Sequence, residues 1–215
     1  MISFAINDLV EQLKPRHREV IRHRFGLDDG ERKTLASLGG QYGITRERVR
    51  QIEEEALKAL KDRVEAQSAA LYERIVGPAQ AHVELLGGVR RDDFLLDEIR
   101  QIFKDAEAHH WHVALLFLLL GEPMQYAREE AMRPFWYTSV EAARRARAFL
   151  SSFEKAVSGQ KEDVLYGKGF DYYFFKMVKA YRVPEAVGVN YLSLSPKFTV
   201  NSFGDAGLAD WEEVY

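Results

Sequence analysis

The feature that most constrains the fold of this chain is residues 44–60, ITRERVRQIEEEALKAL. Its apolar residues recur three or four positions apart, which predicts one continuous amphipathic helix. The predicted buried stripe consists of Val49, Ile52, Ala56, Leu57 and Leu60. The opposite face then carries Arg46, Glu47, Arg50, Gln51 and Glu54. Dense mixed charge often marks a solvated helix face, so the surrounding sequence must decide whether this face has a function.

A shorter helix and a tight turn are predicted immediately before this long helix. Thr34 is a suitable N-cap for LASLGGQY, residues 35–42, and Thr45 is a suitable N-cap for the long helix. The turn between them contains Gly43. Two helices joined by a glycine-containing turn of three or four residues form a helix-turn-helix, whose second helix enters the DNA major groove with its first residues.

The side chains that follow the Thr45 cap suit DNA recognition. Arginine can form two hydrogen bonds to guanine, glutamine can do so with adenine, and glutamate can accept one from the cytosine amino group. Arg46, Glu47, Arg50 and Gln51 are therefore the side chains that can touch base edges. Arg48 and Arg50 could instead bind phosphate, and Thr45 is also predicted to contact the DNA backbone. The glutamates at positions 53–55 come later in the helix, farther from the groove.

Two more helices are predicted upstream of the turn. Leu9, Val10 and Leu13 share one helical face, and Pro15 can begin the next helix because a first turn does not need its missing N–H. Gly26 is a typical residue for the end of that second helix. The N-terminal part is thus predicted to be entirely helical.

The overall charge gives no general affinity for nucleic acid, since the formal net charge is -3. Residues 1–63 carry 13 Lys or Arg against 11 Asp or Glu, whereas the remainder carries 17 against 22. The absence of cysteine excludes disulfides, thiol catalysis and thiolate zinc sites. The most apolar run, residues 113–120, is far shorter than the roughly 20 residues that span a membrane. We therefore expect a cytoplasmic protein with no membrane association.

The rest of the chain is predicted to be mostly helical, so the expected fold class is all-α with an irregular C-terminal segment that holds a short strand. Core helices are predicted around residues 95–103, 113–120, 140–157 and 171–181. The predicted domains are a helix-turn-helix domain at 1–65 and a mostly helical domain of unknown role at 66–215.

The N-terminal segment resembles region 4 of the sigma-70 family, the domain of bacterial sigma factors that reads the minus-35 promoter element. The resemblance covers about residues 5–63, and TRERVRQIEEEAL is its most specific part. PRHREVIRHRFGL and the Thr34-Leu35 pair fit the same pattern. The resemblance implies promoter DNA as a partner and base contacts by Arg46, Glu47 and Gln51. It implies that Arg48 and Arg50 mainly serve DNA-backbone contacts or packing.

The resemblance also implies further contacts. Arg24, Thr34 and the Leu35 backbone match family positions near phosphate. The family domain docks on the β flap of RNA polymerase through apolar residues of its first helices, and the corresponding residues here are Leu9, Leu13 and Ile21.

This sequence departs from the family pattern in several places. Lys14 replaces the usual capping residue before Pro15, and Gly39-Gly40 is expected to weaken the supporting helix by about 1 kcal/mol per glycine. No region 2 precedes the domain, so this chain by itself is not expected to act as a complete sigma factor. Residues 201–214, NSFGDAGLADWEEV, are similar to a segment that precedes a winged HARE-HTH domain in sigma-like proteins, which implies that the natural chain continues past Tyr215.

Three other features have a functional and a structural interpretation. The His109, His110 and His112 cluster could bind a metal, but a helix terminus is favoured because no carboxylate completes a motif. Arg144, Arg145 and Arg147 could contact phosphate, but a solvated helix face is favoured. The aromatic residues of 171–181 could stack on single-stranded bases, but core packing is favoured.

These observations favour a DNA-binding transcription protein that reads a minus-35-like sequence and engages RNA polymerase. The alternative is a sigma decoy, a protein-interaction module that binds the polymerase without reading DNA. No enzyme motif, cofactor site or small-molecule substrate site is expected.

Overall fold

The structure is a computed structural model that describes residues 2–65, 70, 72–121, 123–160, 169–200 and 206–208. The chain forms two compact units, of which the first comprises residues 1–79 and 93–123 and the second comprises residues 80–92 and 124–215. The described residues form ten α-helices and five short strands. The prediction of a mostly helical fold with a minor β component is confirmed. The predicted domain division at residue 65 stays a prediction.

The predicted helix-turn-helix segment consists of four helices. They are α1 (Ile2–Glu11), α2 (Pro15–Phe25), α3 (Leu35–Tyr42) and α4 (Arg46–Glu65). A π-helical turn (Tyr72–Val76) then leads into α5 (Gly77–Leu85), and the chain continues to α6 (Asp92–Phe103) and α7 (His110–Leu119).

The ends of α2 follow from local sequence signals. Pro15 occupies the first turn, and Lys14 before it forms no side-chain cap, as its replacement of a capping residue predicts. Gly26 ends the helix in the left-handed conformation, with φ 54°, and donates its N–H to the Arg22 carbonyl. A Cβ at Gly26 would lie 2.7 Å from the backbone of Glu31, so the sharp exit of the chain requires glycine here.

Helix α7 packs against α1, α2 and α4 of the first unit. Its buried residues are His112, Val113, Leu115, Leu116, Phe117 and Leu119. The sequence predicts this run to be a core helix, and the structure shows that the core to which it belongs includes the N-terminal helices. Residues far downstream of the sigma-like segment therefore help to hold that segment together.

Three polar contacts join residues 105–111 to the N-terminal part. The Asp105 carboxylate accepts hydrogen bonds from the Ser3 amide at 2.8 Å and the Ser3 hydroxyl at 2.6 Å, which caps the start of α1. The Trp111 indole N–H donates to the Gly30 carbonyl at 2.8 Å. The His109 Nε2 lies 3.3 Å from the Leu27 carbonyl. The last two contacts fix the loop between α2 and α3.

The buried His112 predicts a specific pH dependence of stability. Its side chain is 2% exposed, and burial lowers its pKa from 6.5 to about 4, with a further contribution from His109. The folded state therefore binds fewer protons than the unfolded state in that interval, so the free energy of unfolding falls as the pH drops from 6.5 toward 4. We expect His112→Leu to flatten this part of the profile, measured as the urea midpoint at a series of pH values. If the urea midpoints of His112→Leu and of the unmodified protein change with pH in the same way, this role of His112 is contradicted.

The second unit contains an antiparallel sheet that the sequence did not predict. Its strands are β1 (Val89–Arg91), β2 (Gln125–Glu129) and β3 (Met132–Tyr137), in the order β1-β3-β2. Val89 pairs with Tyr137. A register shift between Ala127 and Glu129 lies opposite Pro134, which agrees with the tolerance of proline at bulges.

Three helices pack with this sheet around an aromatic core. They are α8 (Val140–Val157), α9 (Gly169–Tyr181) and α10 (Glu185–Ser193). The core includes Phe135, Phe149, Phe153, Phe174, Tyr191 and Phe198. The ranges 95–103 and 140–157 were predicted as core helices with Ile102 and Val140 facing inward. That part of the prediction is wrong, because Ile102 is 57% and Val140 is 68% exposed.

The C-terminal segment forms a hairpin of β4 (Phe198–Val200) and β5 (Ala206–Leu208). The segment 201–214, which is similar to the approach to a winged domain, lies outside the described residues except for 206–208. Among the described residues, no helix is long and apolar enough to cross a membrane.

Candidate nucleic-acid interface

The turn between α3 and α4 is built by glycine. Gly43 adopts a left-handed φ of 64°, its N–H is directed at the Gly40 carbonyl at 3.4 Å, and the Ile44 N–H donates to the Gly39 carbonyl at 3.0 Å. This pair of bonds is the Schellman arrangement. A Cβ at Gly39 would lie 2.8 Å from the Ile44 carbonyl oxygen. Gly39 therefore allows the close turn, whereas a Cβ at Gly40 would meet nothing within 4 Å.

Helix α4 has the two faces that its sequence predicts. The Thr45 hydroxyl accepts a hydrogen bond from the Arg48 amide at 3.1 Å and caps the helix. Val49, Ile52, Ala56 and Leu60 are buried, and Leu57 is half-buried. The charged and polar side of the helix is exposed from its first residue.

The three predicted base-reading residues lie together on that exposed side. Arg46, Glu47 and Gln51 are all exposed. An α-helix rises about 1.5 Å per residue, so these side chains span roughly 7.5 Å along the axis, or about two base-pair steps. Residues 46–51 carry three arginines and one glutamate at the positive end of the helix dipole, an arrangement that attracts phosphate.

Arg50 lies between two carboxylates. It donates to Glu47 at 2.6 Å and 3.0 Å, and it also bonds Glu54 one turn farther along. The hydrogen bonds with Glu47 hold the pKa of Arg50 above its usual range, and the same contact lowers the pKa of Glu47. All three side chains are exposed, so water and salt screen these pairs. Arg50 is thus paired with Glu47 and Glu54 in this state, and a phosphate would compete with both carboxylates for its guanidinium group.

Arg48 makes a similar contact with Gln51. Its guanidinium donates to the Gln51 Oε1 at 3.1 Å and lies 3.9 Å from Glu55. A glutamine oxygen has two lone pairs, so Gln51 can keep this bond while its oxygen and amide nitrogen face an adenine. The predicted reading and backbone residues therefore form two adjacent pairs, Glu47 with Arg50 and Gln51 with Arg48.

The predicted phosphate residue Arg24 has a structural role in this state. Its guanidinium donates to Glu53 at 3.0 Å and to the Lys33 carbonyl at 2.7 Å. The side chains of Arg24 and Glu53 are only 17% and 14% exposed. Arg24 therefore joins α2, the loop before α3 and α4. Its contact with phosphate stays a prediction.

The start of α3 is capped by Thr34, and its predicted contact with phosphate stays a prediction. The Thr34 hydroxyl accepts a hydrogen bond from the Ser37 amide at 3.1 Å, which caps the helix. Leu35 is the first helical residue, and amides of a first turn have no acceptor inside their own helix. The backbone N–H of Leu35 and the hydroxyl proton of Thr34 are groups that can donate to phosphate.

The three predicted polymerase-docking residues are buried. Leu9 is 9% exposed, Leu13 is 5% exposed and Ile21 is fully buried. They belong to the interior of the first unit rather than to its surface, so their predicted docking role is not visible in this state.

Sequence reasoning missed the residues that support the helix-turn-helix from a distance. These are Asp105, His109 and Trp111, whose partners lie about 80 to 100 positions earlier. The residues next to them in the sequence do not indicate those partners. His109 caps α7, as the helix-terminus interpretation of the histidine cluster predicts. Among the described residues, no group of three or more His, Cys, Asp or Glu could hold a metal ion.

The fold and the exposed face of α4 together define a helix-turn-helix of the type that enters the major groove. Residues 9–62 match the family model described as Sigma-70, region 4. The predicted resemblance to this region is thereby confirmed. The predicted continuation into a winged domain stays a prediction.

Curated relatives match the same segment. The RNA polymerase principal sigma factor HrdD of Streptomyces coelicolor is 48% identical over 59 residues, which is 27% of this chain and 18% of that protein. The RNA polymerase sigma factors SigA of Microcystis aeruginosa and of a Synechocystis species are each 48% identical over 56 residues, 26% of this chain. The match covers 14% and 13% of those two proteins. The chain therefore spans less than a fifth of the length of these relatives.

Proposed function

We propose that this protein is a DNA-binding transcription factor whose α4 reads a minus-35-type promoter element. The observation that carries the proposal is the joint exposure of Arg46, Glu47 and Gln51 directly after the Thr45 cap, within the segment that matches sigma-70 region 4. A solvated face would explain the later glutamates. A solvated face does not explain why arginine, glutamate and glutamine, three residue types that can bond to base edges, occur in the first two turns of α4, the second helix of the helix-turn-helix.

In this proposal, the free energy of DNA binding comes from a few base contacts and a few phosphate contacts. A good bidentate contact discriminates against the wrong base by about 1–3 kcal/mol, and phosphate contacts add affinity without sequence preference. The phosphate contacts are assigned to Thr34, the Leu35 amide, Thr45, Arg48 and Arg50. Three reading residues suit a short element rather than a long operator.

Binding of the full chain to two duplexes tests this function. One duplex carries a TTGACA-like box and the other a scrambled box of the same composition, and fluorescence anisotropy is followed at several salt concentrations. We expect tighter binding to the box, with affinity for both duplexes falling as salt increases. Equal and weak binding to both duplexes, together with tight binding to the isolated polymerase β flap, would replace the proposal with the decoy.

Engagement of RNA polymerase is a separate part of the proposal. The relatives are polymerase sigma factors by name, and this chain carries the matching segment. Because Leu9, Leu13 and Ile21 are buried, docking through them requires α1 and α2 to expose their inner side. Binding to the flap with no change in the hydrogen-exchange rates of α1 and α2 would exclude these three residues from the contact.

Arg50 gives a prediction about affinity rather than sequence preference. We expect Arg50→Ala to weaken binding to both duplexes alike and to lower the slope of log affinity against log salt by about one unit, since one phosphate contact is lost. Arg144→Ala is the matched control, because Arg144 is also exposed and paired with a glutamate three residues away, Glu141, but lies outside the helix-turn-helix. A change in base preference would instead mean that Arg50 acts by orienting Glu47.

A further inference from the structure

Helix α9 carries exposed aromatic side chains on the side that faces away from the core of the second unit. Its inner side packs into that core through Phe170, Phe174 and Tyr181. On the other side, Tyr172 is 61% exposed and Phe175 is 48% exposed. The core-packing interpretation of this segment therefore holds for one side of the helix, and it leaves two aromatic rings in water.

Two exposed lysines lie on the same side of the helix as these rings. Lys176 follows Tyr172 by four positions. Lys179 follows Phe175 by the same interval, and residues four apart in a helix are neighbours on its surface. The Lys176 ammonium lies 5.9 Å from the centre of the Tyr172 ring. We call these four residues the outer face of α9, which consists of two aromatic–lysine pairs offset by about 4.5 Å along the axis.

The positive charge of α9 lies in its second half. Asp171 in the first turn is the only acid of the helix, and Arg182 directly after the helix has an exposed side chain. Within the described part of the chain, neither lysine of the outer face forms an ion pair. An acid at the start and cations at the end also suit the helix dipole. The dipole explains the lysines, but it gives no reason to keep two aromatic rings in water.

The two rings also differ from ordinary exposed apolar side chains because they are neighbours. A single exposed apolar residue is common in folded proteins and needs no explanation. Of the large apolar side chains that are exposed in the described part of the chain, only Tyr172 and Phe175 share a helix. They are three positions apart, so they adjoin on the helix surface. The outer face of α9 is therefore one continuous surface of aromatic rings and cations.

We propose that the outer face of α9 binds single-stranded nucleic acid. Bases would stack on its two rings, and phosphates would pair with its two lysines. Single strands are commonly bound by aromatic rings beside cations, because every base has a π-face on which a ring can stack. A duplex hides those faces between its stacked base pairs, so this surface is expected to select single strands. The site lies within the second unit and includes none of the residues proposed to read the duplex.

A matched pair of strands tests the chemistry. Fluorescence anisotropy of the full chain compares labelled oligo-dT with an abasic strand of the same length and charge, which keeps the phosphates and lacks the bases. Stacking of one base on an aromatic ring is worth about 5- to 150-fold in affinity. We therefore expect oligo-dT to bind at least about fivefold more tightly than the abasic strand. Oligo-U in place of oligo-dT distinguishes RNA from DNA as the strand that is bound.

Two variants with matched controls test the place of binding. Phe175→Ala should lower the affinity for oligo-dT at least about fivefold and leave the affinity for the box duplex unchanged. Phe4→Ala is its control, because Phe4 is a more exposed phenylalanine whose neighbour one turn farther along is Asp8 rather than a lysine. Lys179→Gln should lower the slope of log affinity for oligo-dT against log salt by about 0.7 units, since one phosphate contact is lost. Lys155→Gln, which changes an exposed lysine of α8, should leave that slope unchanged.

The outcomes separate this site from a general attraction of anions. Equal affinities for oligo-dT and the abasic strand, or equal losses in Phe175→Ala and Phe4→Ala, would overturn the proposal, because both mean binding without stacking on α9. Failure of oligo-dT to bind the folded chain would overturn it as well. Tighter binding of polyglutamate than of oligo-dT would replace nucleic acid with an acidic protein as the partner. Far-ultraviolet circular dichroism verifies that each variant keeps the fold, and Lys179→Gln remains decisive if Phe175→Ala fails to fold.

Discussion

Arg46→Ala is expected to remove most of the preference of this protein for a minus-35-type duplex. One bidentate arginine contact to guanine is worth about 1–3 kcal/mol of discrimination, or roughly 5- to 150-fold in the ratio of affinities. Arg46 is exposed at the first residue of α4 and lies on no buried surface, so its removal should not disturb the fold. Anisotropy titrations of the box duplex and the scrambled duplex, at one fixed salt concentration, measure the ratio.

Lys58→Ala is the matched control for this variant. Lys58 is an exposed cation on the same helix, about 18 Å along the axis from Arg46 and therefore beyond the groove. Lys58→Ala should change neither the ratio of affinities for the box and scrambled duplexes nor the midpoint of thermal unfolding. A box preference that survives in Arg46→Ala would remove Arg46 from the reading set and leave Glu47 and Gln51 as its only members.

Phe153→Ala is expected to cost about 3–5 kcal/mol of unfolding free energy, because a large aromatic side chain leaves a cavity in a packed core. Phe153 is fully buried, and its ring centroid lies 5.3 Å from that of Phe170 and 5.1 Å from that of Phe198. The loss amounts to a large share of the stability of a typical domain. Urea unfolding followed by near-ultraviolet circular dichroism measures it.

Phe175→Ala is the control for this substitution. Phe175 is 48% exposed, so its loss should change the unfolding free energy by no more than about 0.5 kcal/mol. Equal midpoints for Phe153→Ala and the unmodified protein would show that the aromatic cluster of α8 and α9 is not packed as described.

Local signals in the sequence predicted much of the first unit. The period of α4, the Thr34 and Thr45 caps and the end of α2 at Gly26 each depend on residues within one or two turns. The same stretch of sequence contains the side chains predicted to read bases. The exposed face of α4 was therefore predictable before its surroundings were known.

The sheet of the second unit was not predictable in the same way. Its strands are three to six residues long and lack regular alternation of apolar and polar residues, and β3 contains Pro134. Such segments become strands only because their partners are present.

The sequence by itself determined that the first 65 residues form several helices, which residues end α2 and cap α3 and α4, and which face of α4 is exposed. It did not determine every helix boundary, because Leu13, predicted to lie on the first helix, follows its end at Glu11. Only the tertiary structure decided that α7 packs on the N-terminal helices, that Asp105 caps α1 and that Trp111 holds the loop before α3. The physical reason is the range of the interactions. Helix periodicity and capping act between neighbours, whereas Ser3 and Asp105 are 102 positions apart and meet only when the whole unit buries its apolar side chains together.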